Sequence, residues 1–229
     1  MGLVLAGLEI PRMKRVARWM PMAVIGVLFA SPWLLGTARA VAGGIDPRIY
    51  AVSYGWSEFQ ESVALAGGSP TTAVAFGWMF WVIETDGQTL LVDTGFADPT
   101  LAAAWGIRDF THPLERLKGL DISPDQVDGV ILTHAHWDHI GLLGSFPNAT
   151  VWIQRAEFDH LTRLFAGGDH TEAGANRLTD LGALALAQSE GRLRLVDGEA
   201  VILPGVSLEL TGGHTPGSQI VVVDILEGP

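Results

Sequence analysis

The 229-residue chain has no cysteine. That one absence excludes disulfides, thiolate metal ligands and cysteine nucleophiles, so any metal must be held by histidine and carboxylate. Charge is also scarce, at 17% of residues against roughly 25% in ordinary soluble domains. Basic charge is the scarcer kind: 14 Lys+Arg stand against 25 Asp+Glu, a net charge of −11. A chain this acidic lacks the basic patch that phosphate demands, which argues against a nucleic-acid partner. Internal repeats and low-complexity linkers are absent. What remains is 48% apolar and long enough for one sizeable core, not for two full domains.

The N-terminus reads as a targeting segment. Lys14, Arg15 and Arg18 precede the apolar run Met22 to Ala30, then Pro32 and the small-residue site Ala38-Arg39-Ala40. A positive region, a short apolar core and an Ala-x-Ala site make a signal peptide over residues 1–40, cleaved after Ala40. Met13 stands directly before the basic cluster, so residues 1–12 are a candidate upstream extension. The alternative is a permanent anchor, since the mostly apolar stretch Trp19 to Gly36 reaches the 18-residue lower limit for spanning. Pro21, Pro32 and the cleavage site favour removal, so no stable membrane anchor is expected. The mature chain, 41–229, loses five of the 14 basic residues and one of the 25 acidic ones. It is expected to be acidic, soluble and exported.

Strand and helix signals alternate through that mature region. Ala73 to Glu84 is rich in aromatic and β-branched residues and runs into Thr85-Asp86-Gly87-Gln88, after which Thr89 to Val92 is apolar again. An Asp-Gly between two such runs predicts a hairpin. Pro99 to Trp105 and Pro113 to Lys118 read as short helices, and Ser123-Pro124 as an N-cap followed by proline at the first helical position. Strands are expected at Val130 to Leu132 and Thr150 to Gln154, with a helix over Arg155 to Leu164. Leu193 to Val196, Ala200 to Leu203 and Val206 to Leu210 read as a meander, and Ile220 to Val223 as a last strand. Mixed elements led by antiparallel hairpins predict a layered α/β (α+β) domain.

The chemistry is concentrated in Thr133-His134-Ala135-His136-Trp137-Asp138-His139, directly after a predicted strand. His134 and His136, two apart on extended chain, can aim both imidazoles at one point. Asp138 and His139, where the chain turns, can address a second point close by. Imidazole with carboxylate is the donor set of zinc, with iron or manganese as alternatives. Two adjacent metals would supply a nucleophilic hydroxide at neutral pH. Three histidines and an aspartate at fixed spacing arise by chance in about one chain in 10⁴, so an incidental polar loop is the weaker reading.

The His-x-His-x-Asp-His run resembles the signature of the metallo-β-lactamase superfamily. Leu91-Val92-Asp93-Thr94-Gly95 upstream and Gly213-His214-Thr215-Pro216-Gly217 downstream match its flanking motifs in the right order. The resemblance covers roughly Ile49 to Asp224. It implies an αββα sandwich in which His134, His136 and His214 hold the first metal and Asp138 and His139 the second, with Asp138 also catalytic. Asp93 would accept a hydrogen bond from a ligand histidine and fix its tautomer. The superfamily's bridging aspartate and final histidine have no match. Asp224 is the one remaining candidate ligand, yet Asp224 to Pro229 reads better as a turn into a further strand. The expectation is therefore a domain incomplete at its C-terminus. Its second site would be weak or empty, and the edge of its last strand would be open to association into oligomers.

The segments Leu120 to Pro124, Phe146 to Ala149 and Gln154-Arg155-Ala156-Glu157 are most similar to the N-acyl-homoserine-lactonase branch. That implies a small ester or lactone substrate. The branch also has a tyrosine late in the chain, and Tyr50 and Tyr54 come too early to match it. The alternatives are an exported β-lactam hydrolase, a thioester hydrolase of the glyoxalase II type, and a non-catalytic metal-binding remnant. His112, His160 and His170 read as solvated or satisfied histidines, and Trp78 and Trp81 as packing residues. Trp137, inside the metal loop, is expected to border the active site.

Overall fold

A computed structural model describes residues 27–28, 47–167 and 176–225. Apart from Val27 and Leu28, the expected signal peptide lies outside them, as does His170.

In chain order the strands are β1 (Val27–Leu28), β2 (Arg48–Gln60), β3 (Ala73–Thr85), β4 (Gln88–Val92), β5 (Gly129–Ile131), β6 (Thr150–Gln154), β7 (Leu193–Val196), β8 (Ala200–Leu203), β9 (Val206–Leu210) and β10 (Gln219–Val223). The α-helices are α1 (Glu61–Ala64), α2 (Pro99–Ala104), α3 (Pro113–Lys118), α4 (Trp137–Ile140), α5 (Arg155–Ala166) and α6 (Leu178–Ser189), with 3-10 turns at Pro124–Gln126 and Leu143–Ser145. Among the described residues no helix is long and apolar enough to cross a membrane.

Six strands form one sheet in the order β2-β3-β4-β5-β6-β7, and four form a second in the order β1-β10-β9-β8. The β3–β4 hairpin turns on Asp86 and Gly87, both with positive φ (49° and 71°), the geometry that a two-residue turn of matching twist requires. From β4 onward the first sheet is parallel, β4 to β5 to β6 to β7. Both faces of these central strands are covered, so β4 and β5 read as unbroken apolar runs. Leu91 and Val130 point into a core shared with the helices, where Tyr54, Phe80, Phe96, Trp137 and Phe146 pack. Leu90, Val92 and Ile131 point the other way, into an aliphatic core with Val206, Leu208, Val221 and Val223 of the second sheet. Helix, sheet and sheet are thus stacked in three layers.

The structure differs from the expected elements in several places. The meander does not form: β7 pairs in parallel with β6, and β8 pairs with β9 in the other sheet. The physical reason lies at Gly198, whose N–H and C=O are both taken by the side-chain amide of Gln154, leaving the Asp197-Gly198 corner to cross between sheets. In the uncleaved chain β1 pairs in parallel along the edge of β10, but β1 lies within the segment expected to be removed, so the mature chain leaves that edge open as expected. Strand β2 and helix α6 had no clear signal. Ala51, Ser53, Gly55 and Ser57 dilute the β-pattern of β2, which finds its register only by pairing along β3 around a bulge at Ser53–Gly55.

Candidate metal centre

The parallel strands deliver their C-terminal ends to one edge of the sandwich, where loops after such strands commonly build sites. Asp93 follows β4, Thr133 to His139 follow β5, Glu157 opens the helix after β6, and His214 precedes β10.

Asp93 is fully buried and sits at φ 64°, a costly conformation for a residue with a Cβ. Its surroundings hold it there. The backbone N–H of Asp93 donates to Ile131 O at 2.8 Å. Its Oδ1 accepts from the backbone N–H of Thr133 at 2.8 Å, and its Oδ2 accepts from the Thr133 hydroxyl at 2.8 Å. His139 Nδ1 lies 2.7 Å from the same Oδ2 and donates to it, which leaves His139 Nε2 turned towards Asp138. His139 Nε2 in turn faces Asp138 Oδ2 at 3.3 Å. Thr133 Oγ1 also lies 3.1 Å from His134 Nδ1, so one hydroxyl braces both the aspartate and the first histidine.

His134, His136 and His214 converge, with their candidate ligand atoms all within 4.8 Å of one another. His136 Nδ1 and His214 Nε2 are 3.0 Å apart. Imidazole nitrogens on a tetrahedral zinc, each about 2.0–2.1 Å from the ion, sit roughly 3.4 Å apart, so this spacing fits one ion. His134 Nε2 supplies an independent test: it is buried with no hydrogen-bond partner among the described residues, a costly state that a bound metal ion resolves. The His139 ring centroid lies 3.9 Å from that of His134, which puts the Asp138–His139 pair beside the triad.

The local field follows from these positions. Burial holds the His134 imidazole well below its ordinary value, helped by the neighbouring His139, His136 and His214. Burial also works against a charged His139, but the Asp138 and Asp93 carboxylates and their hydrogen bonds outweigh it and push its value well up. Asp138 is drawn the other way: burial raises it, and the charge and hydrogen bond of His139 more than offset that, leaving it lowered. Neutral His134 suits a ligand, and ionised Asp138 suits a cation's partner.

Asp224, read as better suited to a turn than to a ligand, lies away from the centre, and Trp137, expected to border it, is buried. Asp224 is exposed at the far end of β10, its N–H on Gly205 O at 2.8 Å, whereas β10 begins at the site with Gln219 on Thr133 O. A five-residue strand separates the two ends by roughly 16 Å, so Asp224 is not brought to the centre. Trp137 does not line an opening either. It is 4% exposed and packs inward on Phe96, at 4.6 Å between ring centroids, and on Trp78 and Trp105. Apolar area carries it into the core, so the metal loop is anchored from behind. Outside the site, His112 caps α3 by accepting at Nδ1 from Leu114 N–H, and His160 lies on α5.

Several residues at the site escaped sequence reasoning. Tyr54, 1% exposed on β2, donates its hydroxyl to the backbone carbonyl of Asp138 at 3.2 Å. Gln154 and Gln219 form a buried amide chain: Gln154 Nε2 donates to Gln219 Oε1, and Gln219 Nε2 donates to Leu132 O. Glu157, 1% exposed, accepts from Ala135 N–H and from Gly217 N–H, both at 2.9 Å. Gln154 and Glu157 lie in the segment that resembles the lactonase branch, but the sequence assigned neither of them a role.

Comparison with known proteins agrees with this geometry. An N-acyl homoserine lactonase of Bacillus cereus is 27% identical over 190 residues, covering 77% of this chain and 70% of its own length. The lactonase AiiB of Rhizobium rhizogenes is 30% identical over 164 residues, of which this chain spans 58% of the relative's length. Among solved structures, a quorum-quenching N-acyl homoserine lactone lactonase superposes with a TM-score of 0.63 at 23% identity, covering 79% of this chain and 70% of that one. A probable metal-dependent hydrolase from Staphylococcus aureus gives the same TM-score and coverage at 19% identity. The family model for the metallo-beta-lactamase superfamily matches residues 79–229, which take in the buried aspartate, the histidine run and the late histidine. The chain belongs to the metallo-beta-lactamase superfamily.

Proposed function

We propose that this protein is a metal-dependent hydrolase that opens lactone rings, with N-acyl homoserine lactones as the favoured substrates. The observation that carries the metal half of the reading is the convergence of His134, His136 and His214 around a buried, unpartnered Nε2. The lactone half rests on relatives from Bacillus cereus and Rhizobium rhizogenes that bear that activity in their names.

His134, His136 and His214 would hold the first ion, and Asp138 and His139 would contribute to a second. Bound there, zinc supplies Lewis acidity, which lowers the pKa of water and polarises a carbonyl. The chain's own groups do the rest. Asp93 and Thr133 fix the tautomers of His139 and His134 so that each presents Nε2. Asp138, ionised and facing the site, takes the proton released by the attacking water and returns it to the ring oxygen as the ester C–O bond breaks. The products are an alcohol and a carboxylic acid that then releases its proton to solvent, which balances one water against one ester. Tyr54 holds the Asp138 backbone from beneath and so keeps that carboxylate in place.

The test is a substrate panel on zinc-loaded protein: short- and long-chain N-acyl homoserine lactones, a β-lactam and a glutathione thioester. Lactone turnover that is lost in Asp138→Asn supports the reading. Turnover of the β-lactam alone, or of nothing with metal bound, overturns it. Export is proposed alongside, on the basic cluster, apolar run and Ala-x-Ala site of residues 14–40. Exported protein should begin at or near Val41, and an intact N-terminus in a membrane fraction would point to an anchor instead.

A further inference from the structure

Two loops carry the histidine triad, and they come from opposite sheets. His134 and His136 follow β5 of the six-stranded sheet, while His214 precedes β10 of the four-stranded one. A three-histidine centre assembled across two sheets is only as well formed as the distance between those loops. Glu157 spans that distance. Its Oε1 accepts from the N–H of Ala135, the residue between His134 and His136, and its Oε2 accepts from the N–H of Gly217, three residues after His214.

We propose that Glu157 is a positioning residue that clamps the two metal-binding loops together and sets the geometry of the histidine triad. The inference rests on the metal-centre reading above and adds to it a residue that coordinates nothing itself. A carboxylate buried to 1% exposure is costly unless its oxygens are satisfied, and here each takes one backbone donor in a charge-assisted bond. It also sits in the first turn of α5, where the unpaired N–H groups of the helix favour negative charge. The fit on the far side is close. A Cβ added at Gly217 would run into the backbone nitrogen, Cα and Cβ of Glu157, so glycine is what lets the His214 loop come down onto the helix start. The turn that carries Gly217 is itself tied, with Thr215 N–H donating to Ser218 Oγ at 3.0 Å. Both loops are thus individually ordered, and Glu157 fixes one against the other.

The experiment compares zinc affinity, by competition with a chromogenic chelator, in the full chain and in Glu157→Gln and Glu157→Asp. The amide of Glu157→Gln keeps one acceptor and turns an N–H₂ towards a donor. The shorter side chain of Glu157→Asp cannot reach both loops. Each should lose about 10–100-fold in zinc affinity, the usual cost of disturbing groups that orient metal ligands. The visible absorption of the cobalt-substituted protein should change as well, since it reports ligand geometry directly. Val151→Ala, a fully buried core position on the neighbouring strand, controls for lost stability and should keep both affinity and spectrum. Affinities within twofold of the unmodified chain, with an unchanged cobalt spectrum, would overturn the inference. So would a loss in Val151→Ala equal to that in the glutamate variants, or failure of both glutamate variants to fold, because either makes Glu157 a residue of the fold at large. An unmodified chain that holds no zinc would instead sink the metal-centre reading, a separate outcome.

Discussion

The two ends of the sandwich are built on different principles. At the site end, Asp93, Thr133, Gln154, Glu157 and Gln219 are all 5% exposed or less, and every one bonds to another loop or sheet. At the opposite end lie the Asp86-Gly87 turn, the exposed Asp224 beside Gly205, and an Arg48–Glu84 ion pair whose arginine side chain is 72% exposed. Polar groups at the first end have surrendered water and depend on one another. Those at the second keep their water and depend on nothing. Substitutions should therefore cost much at one end and little at the other.

The largest contrast lies in metal binding. Alanine at His134, His136 or His214 should abolish tightly held zinc, whereas Asp224→Ala should retain it, as elemental analysis after dialysis would show. Loss of metal in Asp224→Ala would break the comparison outright. Next comes stability. Asp93→Ala strands the Thr133 N–H and the His139 imidazole in the interior, and urea unfolding should show a loss of about 3 kcal/mol or more.

Helix α6 offers an intermediate case, a buried acid left short of partners. Asp180 is 4% exposed, its Oδ2 has no hydrogen-bond partner among the described residues, and burial pushes its carboxyl up to about 6, only partly countered by Arg177. The folded chain therefore binds a proton that the unfolded chain has already lost between about pH 4 and 6, and stability falls as pH rises through that window. Asp180→Asn should remove this fall and gain up to about 3 kcal/mol at pH 7. Parallel stability-against-pH curves for the two proteins would refute it.

Smaller effects sharpen the picture. Tyr54→Phe removes one hydrogen bond to the Asp138 carbonyl and should cost about 1 kcal/mol by urea unfolding. Arg48→Ala should cost about 0.5 kcal/mol or less, and nothing at high salt, because its ion pair is exposed and screened.

Much of the site was legible along the chain because its donors are local. Four ligand-type residues lie within the six positions His134 to His139, and spacing alone aims them at adjacent points. The β3–β4 hairpin was legible for the same reason, since Asp86 and Gly87 impose their turn without outside help. What the chain could not declare was whatever depends on a partner distant in sequence. Trp137 looked like a site residue by position and became core because Phe96, Trp78 and Trp105 surround it. Asp224 was left open as a ligand though it read better as a turn, and only the direction of strand β10, which runs away from His214, decided against it. Strand β7 took β6 as its neighbour because Gln154 occupies the backbone of the turn that a hairpin would have used. Glu157 stood in a segment similar to the lactonase branch, but nothing along the chain gave it a role. Its two donors are 22 and 60 residues away, and only the packing of one sheet on the other brings them to its two oxygens.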